Sequence, residues 1–312
     1  MLGFLVRAYI YKRCGNPVPL DSAVPLYRIL EKQNHLVINA RIGKRLDTSV
    51  TGFAFQGFWV STHRFYIPAK RWSLNRLALE GSEAHHCVNV LRLGVGSRIV
   101  VFDGIGSEAT AEIIEVDKKA VRLKQLQSAK TEPLRCAITL AQAVPKGKHM
   151  ELIVQKATEL GVAKIVPLLS ERTVVQFAPD EMQKKREKWR QVVIEAAKQC
   201  GQNRLPDVVE PITPKQFFSE FDRCELPLIA SLQSDARSFK GALNDFHDHH
   251  GRRPESALIL IGPEGDFTPA EASSARSAGC IPISLGPIVL RAETAALYSL
   301  SVLAYELQGS ER

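Results

Sequence analysis

Leu260-Ile-Gly-Pro-Glu-Gly-Asp-Phe-Thr-Pro-Ala-Glu271 is the stretch on which the fold turns, and Leu285-Gly-Pro-Ile-Val-Leu-Arg-Ala-Glu-Thr-Ala-Ala-Leu297 repeats its plan further on. In each, an apolar strand runs into a Gly-Pro turn and then a helix. Thr268-Pro-Ala-Glu271 is a capping box with proline in the first turn, so it starts a helix, and Gly279 ends it. A single Gly-Pro-Glu-Gly is as readily an ordinary turn as a ligand loop. Two matched elbows after neighbouring strands say more, because open α/β sheets bind ligands outside the carboxyl ends of their strands. Glycines there let the main chain approach a bound molecule closely.

Working outward, strands and helices alternate from Arg135 onward. Residues 136–142, 164–169, 226–231, 257–261 and 281–285 read as strands; residues 148–160 form a helix stopped by Gly161, and residues 293–307 the last helix. Trp189, Val192, Val193, Ala196, Ala197 and Cys200 fall on one helical stripe and read as core. This texture predicts an α/β domain with a mostly parallel sheet. Residues 63–127 read differently, as short strands at 64–67, 97–102, 109–116 and 120–126. Asp103-Gly104 makes a hairpin-type turn, and a helix spans 82–91 with Ser82 as its cap. They predict a small β-barrel, joined to the α/β domain by the linker Thr131-Glu-Pro-Leu134.

Composition sets limits on function. A chain of 312 residues, 45% hydrophobic and 24% charged, has the balance of a soluble globular protein of about two domains. Its net charge of +8 is concentrated: residues 1–62 hold eight Lys/Arg against three Asp/Glu. Recognition of a polyanion by the remainder must therefore rest on local clusters. The six cysteines form no CxxC pair and no zinc-type spacing, which points to a reducing, cytoplasmic setting. No apolar run approaches the ~20 residues of a membrane span, so no membrane association is expected. Neither GxGxxG after an early strand nor a P-loop occurs. His247-Asp-His-His250 reads as a loop before Gly251 rather than as metal ligands, and no metal is expected. The basic run Lys184-Lys-Arg-Glu-Lys-Trp-Arg190 reads as a solvated helix face. Residues 1–62, basic and without sustained periodicity, read as an extension. A disordered tail or an upstream start suits them better than an organellar transit peptide, which would be enriched in serine.

Seven segments in order now carry a resemblance: His63-Arg-Phe-Tyr, Val90-Leu-Arg92, Gln155-Lys-Ala-Thr-Glu-Leu-Gly161, Ser170-Glu-Arg172, Gln199-Cys-Gly-Gln-Asn-Arg204, Gly262-Pro-Glu-Gly265, and Leu285-Gly-Pro with Leu290-Arg-Ala-Glu-Thr294. Over residues 63–308 the chain resembles the small-subunit (16S-type) ribosomal-RNA uracil-N3 methyltransferases, of the knotted SPOUT class. It departs from them in the extension before His63, near which members usually begin, and at Asp266, where many carry a second glycine.

The resemblance implies a PUA-like RNA-binding barrel over 63–130 and, over 135–308, a methyltransferase domain with a trefoil knot, an exception to the rule against threaded chains. It implies S-adenosylmethionine as cofactor, held by main-chain groups around Ser231, Leu260, Gly262, Gly265, Leu285, Gly286 and Leu290. It further implies a homodimer and, as substrate, one uridine of small-subunit ribosomal RNA in an assembled 30S-type particle. Uracil N3 must lose its proton before alkylation, and the charge spreads onto the flanking carbonyl oxygens. Arg291 is the candidate to stabilise that charge or hold a neighbouring phosphate; Glu293 and Glu264 are the candidate proton acceptors. On the residues alone, Arg291 and Glu293 read as a helix-start ion pair.

Lys146, Lys148, Arg172 and Arg204, near strand or helix ends, together with Arg64 and Arg92, are the candidate RNA-binding positions. Cys200 would suit carbon-five methylation as a nucleophile, but its place on the core stripe favours packing, and nitrogen methylation needs no covalent adduct. The alternatives are a knotted methyltransferase acting on another RNA base or a ribose 2′-hydroxyl, and a non-catalytic RNA-binding assembly factor.

Overall fold

The apolar runs of the C-terminal half become strands buried on both faces. In β13 (Ser256–Ile261), Ile259 and Ile261 pack into one hydrophobic cluster, while Leu258 and Leu260 pack into another on the opposite side. Such strands belong in a parallel sheet covered by helices on both faces, and that is the architecture found. The structure, a computed structural model, describes residues 28–32, 35–39, 63–117, 119–175, 177–220 and 224–309.

Seven strands, all parallel, form the larger sheet in the order β10-β9-β8-β13-β11-β14-β12. Besides β13 these are β8 (Ala137–Ala143), β9 (Lys164–Leu168), β10 (Asp207–Val208), β11 (Leu226–Ala230), β12 (Arg237–Ser238) and β14 (Ile281–Ser284). One face carries α2 (His149–Glu159), α3 (Pro179–Cys200), α5 (Phe239–His250) and α7 (Ala292–Leu303); the other carries α4 (Pro214–Glu220) and α6 (Pro269–Ser277). From β8 the chain steps outward to β9 and β10. It then returns to lay β11, β13 and β14 side by side, and the order reverses there.

The N-terminal part of this unit is a five-stranded sheet, order β3-β5-β6-β7-β4, made of β3 (Arg64–Tyr66), β4 (Ala78–Glu80), β5 (Arg98–Phe102), β6 (Ser107–Val116) and β7 (Ala120–Lys130). Bulges interrupt the β6–β7 register at Thr110/Ala111 and at Ile113/Glu115, and bulges bend and twist a sheet. It surrounds a core of Phe65, Leu79, Cys87, Ile99, Val101 and Val121. The helix expected at 82–91 starts one residue earlier. It is α1 (Gly81–His85), followed by a π-type turn at His86–Val90, and its cap is Glu80 rather than Ser82.

Two further readings change. His247-Asp-His-His250 is not a loop but the last turn of α5. Ser238 caps that helix through Gly241 N–H, Phe239, Ala242 and Phe246 bury one face, and Gly251 ends it at φ 65°. Among the described residues no cluster of His, Cys, Asp and Glu is placed to hold a metal. Of residues 1–62, β1 (Arg28–Lys32) and β2 (His35–Asn39) form an antiparallel pair as a unit of their own. The remainder of the expected tail or transit peptide lies outside the described residues.

Residues 61–312 form one compact unit, and main-chain pairing locks its two sheets together. The turn after β5 bridges to Arg204: Leu205 N–H donates to Gly104 O (2.9 Å) and Gly106 N–H to Asn203 O (3.0 Å), while Thr131 N–H to Gly106 O (2.8 Å) extends the β6–β7 ladder beside them. Lys198, 9% exposed, adds an ion pair from α3 to Glu83 at 3.0 Å and one to Glu195 at 2.8 Å. Burial pushes its ammonium pKa down, and the two carboxylates more than offset that, so the net shift is upward.

Candidate functional site

Three chain segments leave the adjacent strands β11, β13 and β14 at their carboxyl ends, and together they wall a cavity of about 490 Å³. That volume suits a small organic ligand. Ser231 follows β11, the first elbow (Ile261–Glu264 and Asp266) follows β13, and the second (Ser284–Ala292) follows β14. Both glycine elbows therefore face one space.

Each segment is fixed locally. Ser231 N–H donates to Ile283 O (2.9 Å), and the Ser231 hydroxyl accepts from Gln233 N–H (3.2 Å). In the first elbow Asp266 N–H closes a turn on Pro263 O (2.9 Å). Asp266 itself sits at φ 60°, with its carboxylate accepting from Phe267 N–H (2.8 Å). This is a left-handed position that aspartate tolerates better than most side chains. In the second elbow Gly286 has φ 121°, and the space a Cβ there would take has no atom within 4 Å. Gly286 itself lines the cavity.

The capping box predicted from sequence does more than cap. The Glu271 carboxylate accepts from Thr268 N–H (2.9 Å), and also from the Ser170 hydroxyl (3.1 Å) and Glu171 N–H (3.0 Å) of the loop after β9. Glu271 is only 8% exposed. From the same loop the Arg172 guanidinium donates to Gly265 O at 2.6 Å. Residues 170–172 are thus a brace for the first elbow. Glu271→Ala removes the acceptor of three donors, and each buried donor left unsatisfied costs about 1–3 kcal/mol. The urea midpoint is expected to fall by an amount equivalent to about 3 kcal/mol at unchanged m value; an unmoved midpoint would show that the brace is dispensable.

Of the expected ligand-contacting residues, Ser231, Gly262, Leu285, Gly286 and Leu290 line the cavity, as do Arg291 and Glu264. Arg291 is exposed, caps α7 without a side-chain bond, and has no ion pair among the described residues. Glu264 reaches across to the loop after β8, where its carboxylate accepts from Lys146 N–H at 3.4 Å. Three residues stand off the cavity wall. Leu260 points to the opposite face of the sheet and is fully buried, Gly265 faces Arg172, and Glu293 lies 3.5 Å from His149 Nδ1. The helix-start pairing expected between Arg291 and Glu293 is therefore replaced by Glu293 with His149.

The basic residues divide. Lys146, Lys148 and Arg92 are exposed, and their side chains have no partner among the described residues. Arg64, Arg172 and Arg204, expected on RNA, are engaged within the protein. Arg64 is 13% exposed and bonds Glu108 and Asn203, Arg172 holds Gly265, and Arg204 Nε donates to Thr131 O (2.9 Å). Cys200 ends α3 away from the cavity, and burial pushes its thiol pKa up, which opposes a nucleophilic role.

Sequence reasoning missed Leu232 and Gln233, and within the second elbow it did not single out Ile288 and Val289. All four line the cavity, and Leu232 and Gln233 belong to no motif.

The RNA methyltransferase domain family matches residues 132–304, and the RNA methyltransferase PUA domain family matches residues 79–126. The ribosomal RNA small subunit methyltransferase E of Bacillus subtilis is 32% identical over 253 residues, covering 78% of this chain and 97% of that protein. The Synechocystis protein of the same name is 32% identical over 244 residues, covering 78% and 77%. Among solved structures, a methyltransferase of Legionella pneumophila in complex with S-adenosylmethionine is 35% identical with a TM-score of 0.70, covering 78% of this chain and 98% of that one. The small subunit methyltransferase E of Neisseria gonorrhoeae, also bound to S-adenosylmethionine, is 29% identical with a TM-score of 0.69, covering 80% and 100%.

Proposed function

The chain belongs to the RNA methyltransferase family, and from that premise we propose that it methylates N3 of one uridine in small-subunit, 16S-type ribosomal RNA, using S-adenosylmethionine. The observation that carries this reading is the single cavity walled by both elbows, with Arg291 and Glu264 on its lining.

The residues fit the cofactor. Most of the wall is apolar, and Gly286, where a Cβ would meet open space, is part of it. Ser231, Gly262, Leu285, Gly286 and Leu290 would hold it through main-chain groups. Leu260 anchors the strand before the first elbow, and Gly265, gripped by Arg172, fixes that elbow's shape. Bound there, S-adenosylmethionine supplies an activated methyl group. The protein's own tasks are to orient the uracil, exclude water and remove the N3 proton. Glu264 is the proton acceptor favoured by position, since it lines the cavity and Glu293 does not. Glu293 with His149 instead holds the start of α7. Arg291 stabilises the charge that develops on the flanking carbonyl oxygens. Of the six cations expected on RNA, Lys146, Lys148 and Arg92 remain free to contact phosphate.

The same reading includes the domain limits 63–130 and 135–308, a trefoil knot made where the second elbow passes the first, and action in the cytoplasm on the assembled 30S-type subunit. No helix among the described residues is long and apolar enough to cross a membrane. It also includes a homodimer. Leu232, Ile288 and Val289 are exposed at the cavity, and Tyr298 and Tyr305 are exposed on and after α7. A second copy would cover this surface. Sedimentation is expected to give the mass of two chains, and a monomer at micromolar concentration would remove the dimer from the proposal. Ribosomal RNA from cells lacking the protein is expected to lose one N3-methyluridine from the small subunit. Full methylation in those cells would reject the substrate.

A further inference from the structure

A second cavity, of about 510 Å³, lies where the barrel meets the α/β domain. The barrel side contributes Tyr66, Lys70 and Ile105; the α/β side contributes Arg186 and Arg190 of α3. Strand β10, which also lines it, is three positions from β13 in the sheet. At the usual spacing of about 4.8 Å per strand, that is roughly 14 Å of lateral separation from the strand carrying the first elbow. This cleft is a separate site from the cavity of the elbows.

Three cations line it, and two of them are free to meet an anion. Lys70 and Arg190 are exposed, and among the described residues neither side chain has a hydrogen-bond or ion-pair partner. Arg186 is held in place by Nε donating to Val208 O at 2.9 Å, with Glu210 3.9 Å from its Nη1. Two carboxylates also line the cleft. Asp103 is 2% exposed and spends one oxygen on Ile105 N–H and Ser107 N–H (2.8 Å each), whereas Asp207 is exposed at the rim. Beside the cations stand an aromatic and an exposed apolar side chain: Tyr66, packed against Phe102, and Ile105, 60% exposed. Cations that track phosphates next to a face on which a base can rest are the elements of a single-strand RNA site.

The cleft is also rigid. Its walls are joined by the pairing of Gly104 and Gly106 with Asn203–Leu205, and a Cβ on Gly104 would meet Leu205 and Tyr66 at 3.0 Å. The barrel and the α/β domain, which carry its cations, are thus joined directly by main-chain bonds.

We propose that this cleft binds a single-stranded segment of the substrate RNA away from the methylated base, with its phosphates on Lys70, Arg186 and Arg190 and a base against Tyr66 and Ile105. This rests on the reading of the substrate as RNA and adds to it the part of the molecule that selects the address.

The test is the double variant Lys70→Gln/Arg190→Gln, in the full chain, with transcribed small-subunit ribosomal RNA as probe. Binding is measured across a salt series, and S-adenosylmethionine binding by calorimetry. Neutralising two phosphate contacts is expected to lower the slope of log K against log salt by about 1.4 and to weaken RNA binding roughly tenfold near 150 mM salt. Cofactor affinity and melting temperature should stay at the parent values. A parent protein that binds the RNA, with a variant of unchanged affinity and slope, overturns the cleft assignment alone and leaves the groove to an acidic protein segment. A parent protein with no affinity for the RNA overturns the functional reading and the cleft together.

Discussion

Arg291→Ala is expected to slow methylation by about 10²–10³-fold, the usual cost of removing one preorganised group that meets developing charge. Melting temperature and S-adenosylmethionine affinity should be unchanged. The physical reason lies in how the side chain is placed. Arg291 lines the cavity, is exposed, makes no side-chain cap to α7, and has no ion-pair partner among the described residues. Little folding energy depends on it, so its loss should appear in the rate. Single-turnover kinetics with saturating cofactor, alongside calorimetry, separates the alternatives. A variant with parent-like turnover refutes the role, and one that loses cofactor affinity in place of rate moves Arg291 to cofactor binding. Arg291→Lys keeps the charge without the planar fork and is expected to recover only part of the rate.

Gly106→Ala is expected to cost about 3 kcal/mol of stability, far more than a typical surface substitution. Gly106 sits at φ 116°, and a Cβ there would lie 2.6 Å from Thr131 O and 2.9 Å from Arg204 Nη2. Relief would require breaking the bond that Gly106 makes to Asn203, which joins the two sheets, and its bond to Thr131, which extends the β6–β7 ladder. Strain of about 1–3 kcal/mol adds to hydrogen bonds worth about 1 kcal/mol each. For a unit of this size that corresponds to a fall of roughly 6–12 °C in Tm. Gly96→Ala is the control: it shares a positive φ (87°) but has open space around the Cβ position. It should cost only about 1 kcal/mol. Equal losses at the two positions would show that the joint between the sheets yields easily.

The comparison of those two glycines shows where sequence reading stops. Asp103-Gly104 reads as a hairpin-type turn, and β5 and β6 do pair antiparallel across it. Its larger use, the crossing onto Asn203–Leu205, joins residues about one hundred positions apart and leaves no local trace. Arg64 and Arg204 look from sequence like free cations for RNA, yet the same crossing draws both into protein contacts. Arg172 and Glu271 behave likewise: the capping box is legible at Thr268–Glu271, whereas the carboxylate's bonds to Ser170 and Glu171 are not. Conversely, Arg190 belongs to a run that reads as a solvated face, and only the barrel's position turns it into a cleft wall.

By itself the sequence determined the things that depend on neighbours along the chain. These are the strand and helix segments set by apolar period and caps, the parallel α/β class, the small barrel before it, and two elbows that place glycine after a buried strand. The tertiary structure alone decided which of these meet: that Ser231 closes the cavity of the two elbows, that Glu264 and not Glu293 reaches its lining, and which cations remain unpaired. The reason is physical. Local geometry is fixed by backbone sterics and side-chain period, which repeat within a few residues. Contacts between distant segments are fixed by strand order and by burial, which no short stretch of chain encodes on its own.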